Sequence, residues 1–149
     1  MNAEIQRKLE QGLKYLNYKQ VRAAIKQGAN VNIKVFGGEY PVNFVLLSFK
    51  RGQKKSLLVL KELIKAGVYL HKREVGQTPP ILIAAQYANL DAIKILLENG
   101  ANINETTLSI HDRELDFFFY ASNNEDPKVK QLNKPLGKLW LRLNVKNYK

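Results

Sequence analysis

At 149 residues, 45% apolar and 25% charged, the chain is long enough to bury one core and short for two domains, so a single domain over 1–149 is expected. No apolar run approaches the roughly 18 residues of a membrane span, no secretory signal is recognisable, and the absence of cysteine excludes disulfides and thiolate metal sites. That composition fits a reducing intracellular compartment, cytoplasm or nucleus. The formal net charge of +11 is unevenly spread. Residues 50–73 hold eight cations against Glu62 alone, and residues 127–149 hold seven cations and no acid. Residues 105–126 hold six acids against Arg113. Such a banded field steers an anionic partner or simply keeps the chain soluble.

In chain order, residues 3–16 supply a first helix, and Val21, Ala24 and Ile25 mark the apolar stripe of a second. Gly28-Ala29-Asn30-Val31-Asn32 ends it, the glycine taking the left-handed cap that a Cβ disfavours. Gly37-Gly38 then forms a tight turn into a short helix at Pro41-Val42-Asn43-Phe44-Val45-Leu46. A lysine-rich stretch from Ser48 to Lys55 reads as an inserted loop before the stripe of Leu60, Leu63 and Ile64, which stops at Gly67-Val68-Tyr69-Leu70-His71. Pro80 opens the next helix, whose paired Ala84 and Ala85 allow close packing. Asn89 and Asp91 are N-cap candidates for the stripe Ile93, Leu96, Leu97, which ends at Gly100-Ala101-Asn102-Ile103-Asn104.

Beyond that point the pattern degrades. Leu115 to Ala121 reads as a further helix, and Pro127 opens another carrying Val129, Leu132 and Leu136 before Gly137. Leu139, Leu141, Leu143 and Val145 then alternate with Trp140, Arg142, Asn144 and Lys146. That alternation is strand-like, and it also fits a short helix or a tail packing Trp140 over the end, with disorder expected from Lys146 onward.

Gly28, Gly67 and Gly100 are 39 and 33 residues apart, so the chain is an internal repeat. Thr78 to Asn104 strongly resembles one ankyrin repeat, with Pro80, Ala84, Ala85, Leu96, Leu97, Gly100, Ala101 and Asn104 on the family positions. Leu82 and Asn43 replace the usual histidine, and Ala88 stands where a glycine usually ends the inner helix. The resemblance implies an all-α ankyrin solenoid of stacked helix pairs with hairpin turns, in approximate repeats 1–32, 33–71, 72–104 and 105–137. A basic segment, 138–149, follows. In the first repeat Gly12 and Leu13 take the paired-alanine positions, and terminal repeats are expected to diverge.

No catalytic constellation is recognisable. His71 aligns with Asn32 and Asn104 and reads as a turn residue, and His111-Asp112 reads as a capping or loop pair. Asp112, Glu114 and Asp116 lack the spacing of a metal site, no glycine-rich phosphate loop is present, and no cofactor is expected. Phe117-Phe118-Phe119-Tyr120 reads mainly as core, with part of it a potential docking patch.

The resemblance implies a non-enzymatic adaptor that binds a protein through hairpin tips and inner helices. Carried over by position, the partner-binding candidates are Phe36, Glu39, Lys72, Arg73, Val75, Gln86 and Tyr87. The chain also looks like the short ankyrin proteins with which intracellular bacteria or viruses act on host proteins. The partner expected is a protein, acidic or phosphorylated in keeping with the charge, and the chain itself a monomer or weak dimer. The alternative is anion or nucleic-acid binding through Lys50, Arg51, Lys54 and Lys55 with the C-terminal lysines.

Overall fold

The computed structural model describes residues 2–71 and 74–145. It is mostly helical, as the ankyrin resemblance implies, and its contacts divide into two compact units, Met1–Tyr69 and Leu70–Lys149.

The first unit holds two helix pairs. α1 (Ala3–Lys14) packs on α2 (Tyr18–Lys26), and α3 (Pro41–Leu47) on α4 (Gln53–Lys65), with α1 also touching α3 and α2 touching α4. Inner helix thus lies beside inner helix and outer beside outer. Leu9, Leu13, Val21, Val45, Leu46, Val59, Leu60 and Leu63 are fully buried in the shared seam. Side-chain caps set two starts: Asn2 accepts from the Glu4 N–H and Asn17 from the Gln20 N–H.

Each outer helix ends in the same hydrogen-bonded motif. The Gly28 N–H donates to the Ile25 carbonyl and the Ala29 N–H to that of Ala24, at 2.9 and 3.0 Å. Gly67 and Val68 repeat this on Ile64 and Leu63, and in the second unit Gly100 and Ala101 repeat it on Leu97 and Leu96. All three glycines have positive φ, so the residue after the helix turns back without a Cβ clash. The inner helix of the first repeat ends in this way on a non-glycine: Leu16 holds φ 51°, and Asn17 N–H donates to the Gly12 carbonyl at 2.8 Å. Ala88, at the corresponding position of the third repeat, is extended instead, so no glycine is needed there.

The asparagine and histidine at matching hairpin positions hold neighbouring repeats in register. Asn32 Oδ1 accepts from the Tyr69 N–H at 2.7 Å while its Nδ2 donates to the Gly67 carbonyl. In the second unit His71 Nδ1 lies 2.9 Å from Glu105 Oε1. Asn43, on the family's histidine position, is buried with its Oδ1 unpaired among the described residues.

The second unit packs α5 (Pro80–Tyr87) against α6 (Leu90–Glu98) and α7 (Phe117–Ser122). Asn89 caps α6 by accepting from the Ala92 N–H, and Asp116 caps α7 by accepting from the Phe119 N–H. Between α6 and α7 a two-stranded hairpin, β1 (Thr107–Leu108) and β2 (Glu114–Leu115), interrupts the otherwise helical chain. The helix expected from Leu115 therefore starts at Phe117. Buried Asn124 donates from Nδ2 to the Ala85 and Ala88 carbonyls, both at 2.8 Å, tying the segment after α7 to the C-terminal end of α5.

Three expectations are corrected. The Pro127 helix is only α8 (Pro127–Lys130), followed by a 3-10 turn over Gln131–Asn133, because the residue before Pro135 must be extended and Lys134 is. Gly137 lies inside the new helix α9 (Pro135–Asn144) and does not terminate one; its bare Cα packs against the backbone of Gln131 and Leu132. The alternating tail is this helix, burying Leu141 and half-burying Trp140, and not a strand. The side chain of Leu136 and the residues from Lys146 onward lie outside the described residues.

Gly12 tests the close approach of α1 to α2. A Cβ there would meet Val21 Cγ2 at 2.8 Å and the Val21 backbone nitrogen at 3.0 Å. Helix propensity favours Gly12→Ala by about 1 kcal/mol, but forcing the two helices apart costs about 1–3 kcal/mol. The variant is expected to be net destabilised, seen as a lower urea midpoint with an unchanged slope.

Candidate functional site

The first unit carries a cleft of about 280 Å³ lined by Arg7, Glu10, Gln11, Lys14 and Tyr15 of α1 and by Phe36. Helical periodicity places it there. Leu9 and Leu13 turn α1 inward, so Arg7, Gln11 and Lys14 fall on the opposite, exposed face. Phe36 stands on a 3-10 turn, Phe36–Gly38, closed by the Val35 N–H donating to the Glu39 carbonyl at 2.8 Å. Gly37 and Gly38 both have positive φ, which this tight reversal requires. The Phe36 ring packs 5.8 Å from that of Phe44 and remains 38% exposed.

Tyr15 is 67% exposed at the other end of the cleft, with the Lys14 ammonium 5.7 Å from its ring centre. Among the described residues neither Arg7 nor Glu10 forms an ion pair, and Lys14 has no carboxylate partner. The cleft therefore presents two aromatic surfaces with charges of both signs available. Its volume lies near the lower end of the roughly 300–1,000 Å³ range of small-molecule sites.

Of the expected partner-binding residues, Phe36 lines this cleft and Glu39, half-buried, closes its turn. Lys72 and Arg73 lie outside the described residues. In the second unit Val75 is fully exposed beside Gly76, and Gln86 and Tyr87 are half-buried at the end of α5. Tyr120 sits near enough to Tyr87 to feel it; burial, and then Tyr87, raises the Tyr120 phenol above its ordinary range. Ile110, 94% exposed at the tip of the β1–β2 hairpin, escaped the sequence reading, as did Arg7, Gln11, Lys14 and Tyr15. The period of α1 was the signal for the latter group, while Ile110 depends on a hairpin that residues 105–115 do not advertise.

The basic loop is also corrected. Lys50 and Arg51 lie at a 3-10 turn, Phe49–Arg51, anchored by fully buried Phe49. Arg51 Nη2 donates to the Lys14 carbonyl at 3.1 Å, satisfying an otherwise open acceptor at the end of α1. Lys54 and Lys55 are not in the loop but in the first turn of α4. The inserted residues shorten the gap by extending that helix, since Ser56 is buried and donates to the Ser48 carbonyl.

Residues 77–108 match the family model of the ankyrin repeat. That stretch, about a fifth of the chain, is similar to one ankyrin repeat. The matched stretch spans α5, α6 and the Gly100 cap, the part of the molecule whose sequence was most regular. An ankyrin repeat is a protein-interaction module, and the family is typically non-enzymatic. No curated protein matches the chain. Among the described residues no group of three or more His, Asp or Glu side chains is placed to hold a metal ion, and no helix is long and apolar enough to cross a membrane.

A doubly hydrogen-bonded ion pair joins the outer helices of the first unit. Arg22 of α2 clasps Glu62 of α4 with two bonds, Nη2 to Oε1 at 2.7 Å and Nε to Oε2 at 3.0 Å. Lys65 Nζ lies 3.8 Å from Glu62 Oε1. The Arg22 hydrogen bonds hold the Glu62 carboxyl below its usual value near 4.5, with burial opposing and the positive charges of Arg22 and Lys65 assisting. A lowered acid pKa stabilises the fold above about pH 4.5 and loses that effect as pH falls through the folded-state value. Glu62→Gln is expected to unfold at lower urea than the parent at pH 7, and the gap to narrow as pH falls below about 4.5 and the parent's Glu62 takes up its proton.

Proposed function

We propose that this chain is a non-enzymatic protein-interaction module that seats a segment of its partner in the Tyr15–Phe36 cleft. The observation that carries the reading is the pairing of two exposed aromatic side chains, one braced by Phe44, with cleft charges that form no ion pair among the described residues. Aromatic and arginine side chains at the centre of a concave patch are the usual anchors of protein recognition. Arg7 and Lys14, with Arg51 at the end of α1, favour an acidic or phosphorylated segment, and Glu10 and Gln11 offer acceptors to its backbone. Lys72, Arg73, Val75, Gln86 and Tyr87 extend the partner-binding set by their places in the ankyrin pattern. An effector acting on a host protein is the narrower form of this reading, supported by the lysine- and asparagine-rich composition.

The second reading is anion or nucleic-acid binding through Lys50, Arg51, Lys54, Lys55 and the C-terminal lysines. It is supported by the absence of acids around these residues.

Affinity capture with the parent chain, followed by a binding isotherm for the partner it retains, tests the cleft. Tyr15→Ala/Phe36→Ala is expected to weaken that partner more than tenfold, as the loss of two anchors worth roughly 1–2 kcal/mol each implies. Its helical circular dichroism should be unchanged, because both side chains are exposed. Equal binding by parent and variant would remove the cleft from the function.

A further inference from the structure

The outer helices of the first unit form a second surface, unlike anything in the cleft. α2 buries Val21 and Ala24, which turns Lys19 and Lys26 directly outward. α4 buries Ser56, Val59, Leu60 and Leu63, which sets Lys54, Leu58, Lys61 and Lys65 in one exposed outward row. The two helices pack together, and Arg22–Glu62 fastens them across the seam beside Lys55. Glu62 is the only acid in either helix, and it is buried and already neutralised by Arg22. Lys19, Lys26, Lys54, Lys55 and Lys61 have no carboxylate partner among the described residues.

Overall composition does not explain this. α6 is the outer helix of the matched ankyrin repeat, and it carries Asp91 and Glu98 against Lys94, with Lys94 reaching Glu98 at 3.8 Å. α1 likewise mixes its charges, pairing Lys8 with Glu4 at 3.2 Å. Within the first unit, the uncompensated lysine rows lie on α2 and α4 among the described residues.

We infer that the outer face of α2 and α4 binds the phosphate backbone of a nucleic-acid duplex, without regard to sequence. The inference deepens the reading of nucleic-acid binding given above, moves its site from the loop to the helix faces, and does not depend on the cleft. At about 1.5 Å per residue, Lys54 and Lys65 are about 16 Å apart along α4, and Lys19 and Lys26 about 10 Å apart along α2. Packed helices lie about 8–10 Å apart. Two parallel cationic rows of that size face a stretch of duplex carrying about ten phosphates. Lysines act here as point charges that position a backbone, and no side chain is shaped to read base edges.

The same face argues against other polyanions. Single strands are held by stacking on aromatic rings, and the ring at this surface, half-buried Tyr18, lies under the Arg22 guanidinium at 5.6 Å. A membrane surface would need apolar side chains to insert, and α2 and α4 turn theirs inward, leaving Leu58 as the one large aliphatic in the outward row. Leu58 alone gives a protein partner little apolar anchor.

Fluorescence anisotropy with a labelled 20-base-pair duplex, across a salt series from about 50 to 200 mM, tests the proposal. The parent is expected to bind at 50 mM salt with an affinity that falls linearly on a logarithmic salt scale. Lys19→Gln/Lys26→Gln/Lys61→Gln/Lys65→Gln should lose more than about a hundredfold at that salt and about three and a half units of slope, roughly 0.9 per phosphate contact. These positions are exposed, so its thermal midpoint should remain near the parent's. Lys50→Gln/Arg51→Gln and Tyr15→Ala/Phe36→Ala should keep the greater part of the affinity. No duplex binding at 50 mM salt, an unchanged slope in the fourfold variant, or a loss confined to the loop or cleft variant would overturn the proposal. So would tighter binding to a single strand, a polyglutamate peptide or phosphatidylserine vesicles. Failure of the cleft to bind protein would leave this result standing, because the two variants are read separately.

Discussion

The architecture depends on one recurring local constraint, the hydrogen-bonded glycine cap at Gly28, Gly67 and Gly100. In each copy two N–H groups close back on the last turn of the outer helix while the glycine holds a positive φ. A residue with a Cβ would meet a steric cost of roughly 1–2 kcal/mol in that conformation. The cap sends the chain out of the helix in a set direction, so the segment after it reaches the next hairpin in the same way each time. Asn32 can then contact Gly67 and Tyr69, and His71 can contact Glu105, one repeat on in each case. Register between repeats is thus a consequence of how each helix ends.

The residues between α3 and α4 show how the pattern absorbs an irregularity. Phe49 is drawn into the core, Arg51 satisfies a carbonyl at the end of α1, and the remainder lengthens α4 to 13 residues against nine in α2 and α6. The longer helix begins with lysines in place of a capping side chain, which the helix dipole disfavours. Arg22 and Glu62 bridge α4 to α2. Because the Arg22 side chain is about half exposed and solvent screens the pair, its clearer effect is to fix how the two helices lie together. One unit thereby presents a cleft with both signs of charge on its inner helix and an almost purely cationic surface on its outer pair.

In the second unit the pattern is kept only where the next repeat needs it. α7 packs on α5, and Asn124 satisfies two carbonyls at the end of that helix, a polar substitute for the contacts a full repeat would make. Past this point Pro135 breaks the outer helix and starts α9, with Gly137 allowing the new helix to cross close to the preceding turn.

The helix pairs, the glycine caps, the Asn89 cap and the resemblance of residues 78–104 were all legible from sequence, because each is set by neighbours within about one helical turn. The outward lysines of α2 and α4 were legible in the same way once the buried stripes were known. What the tertiary structure alone decided depends on residues far apart in the chain. It placed Lys54 and Lys55 in a helix because Phe49 and Ser56 are buried, and it joined Tyr15 to Phe36 in one cleft. It also made a hairpin of residues 107–115 and a helix of the alternating tail. In the tail, period-two hydrophobicity gave way to the extended start that Pro135 imposes and to the burial of Leu141. Local steric rules are written residue by residue; the contacts that form a site are chosen only when distant segments compete for the same apolar surface.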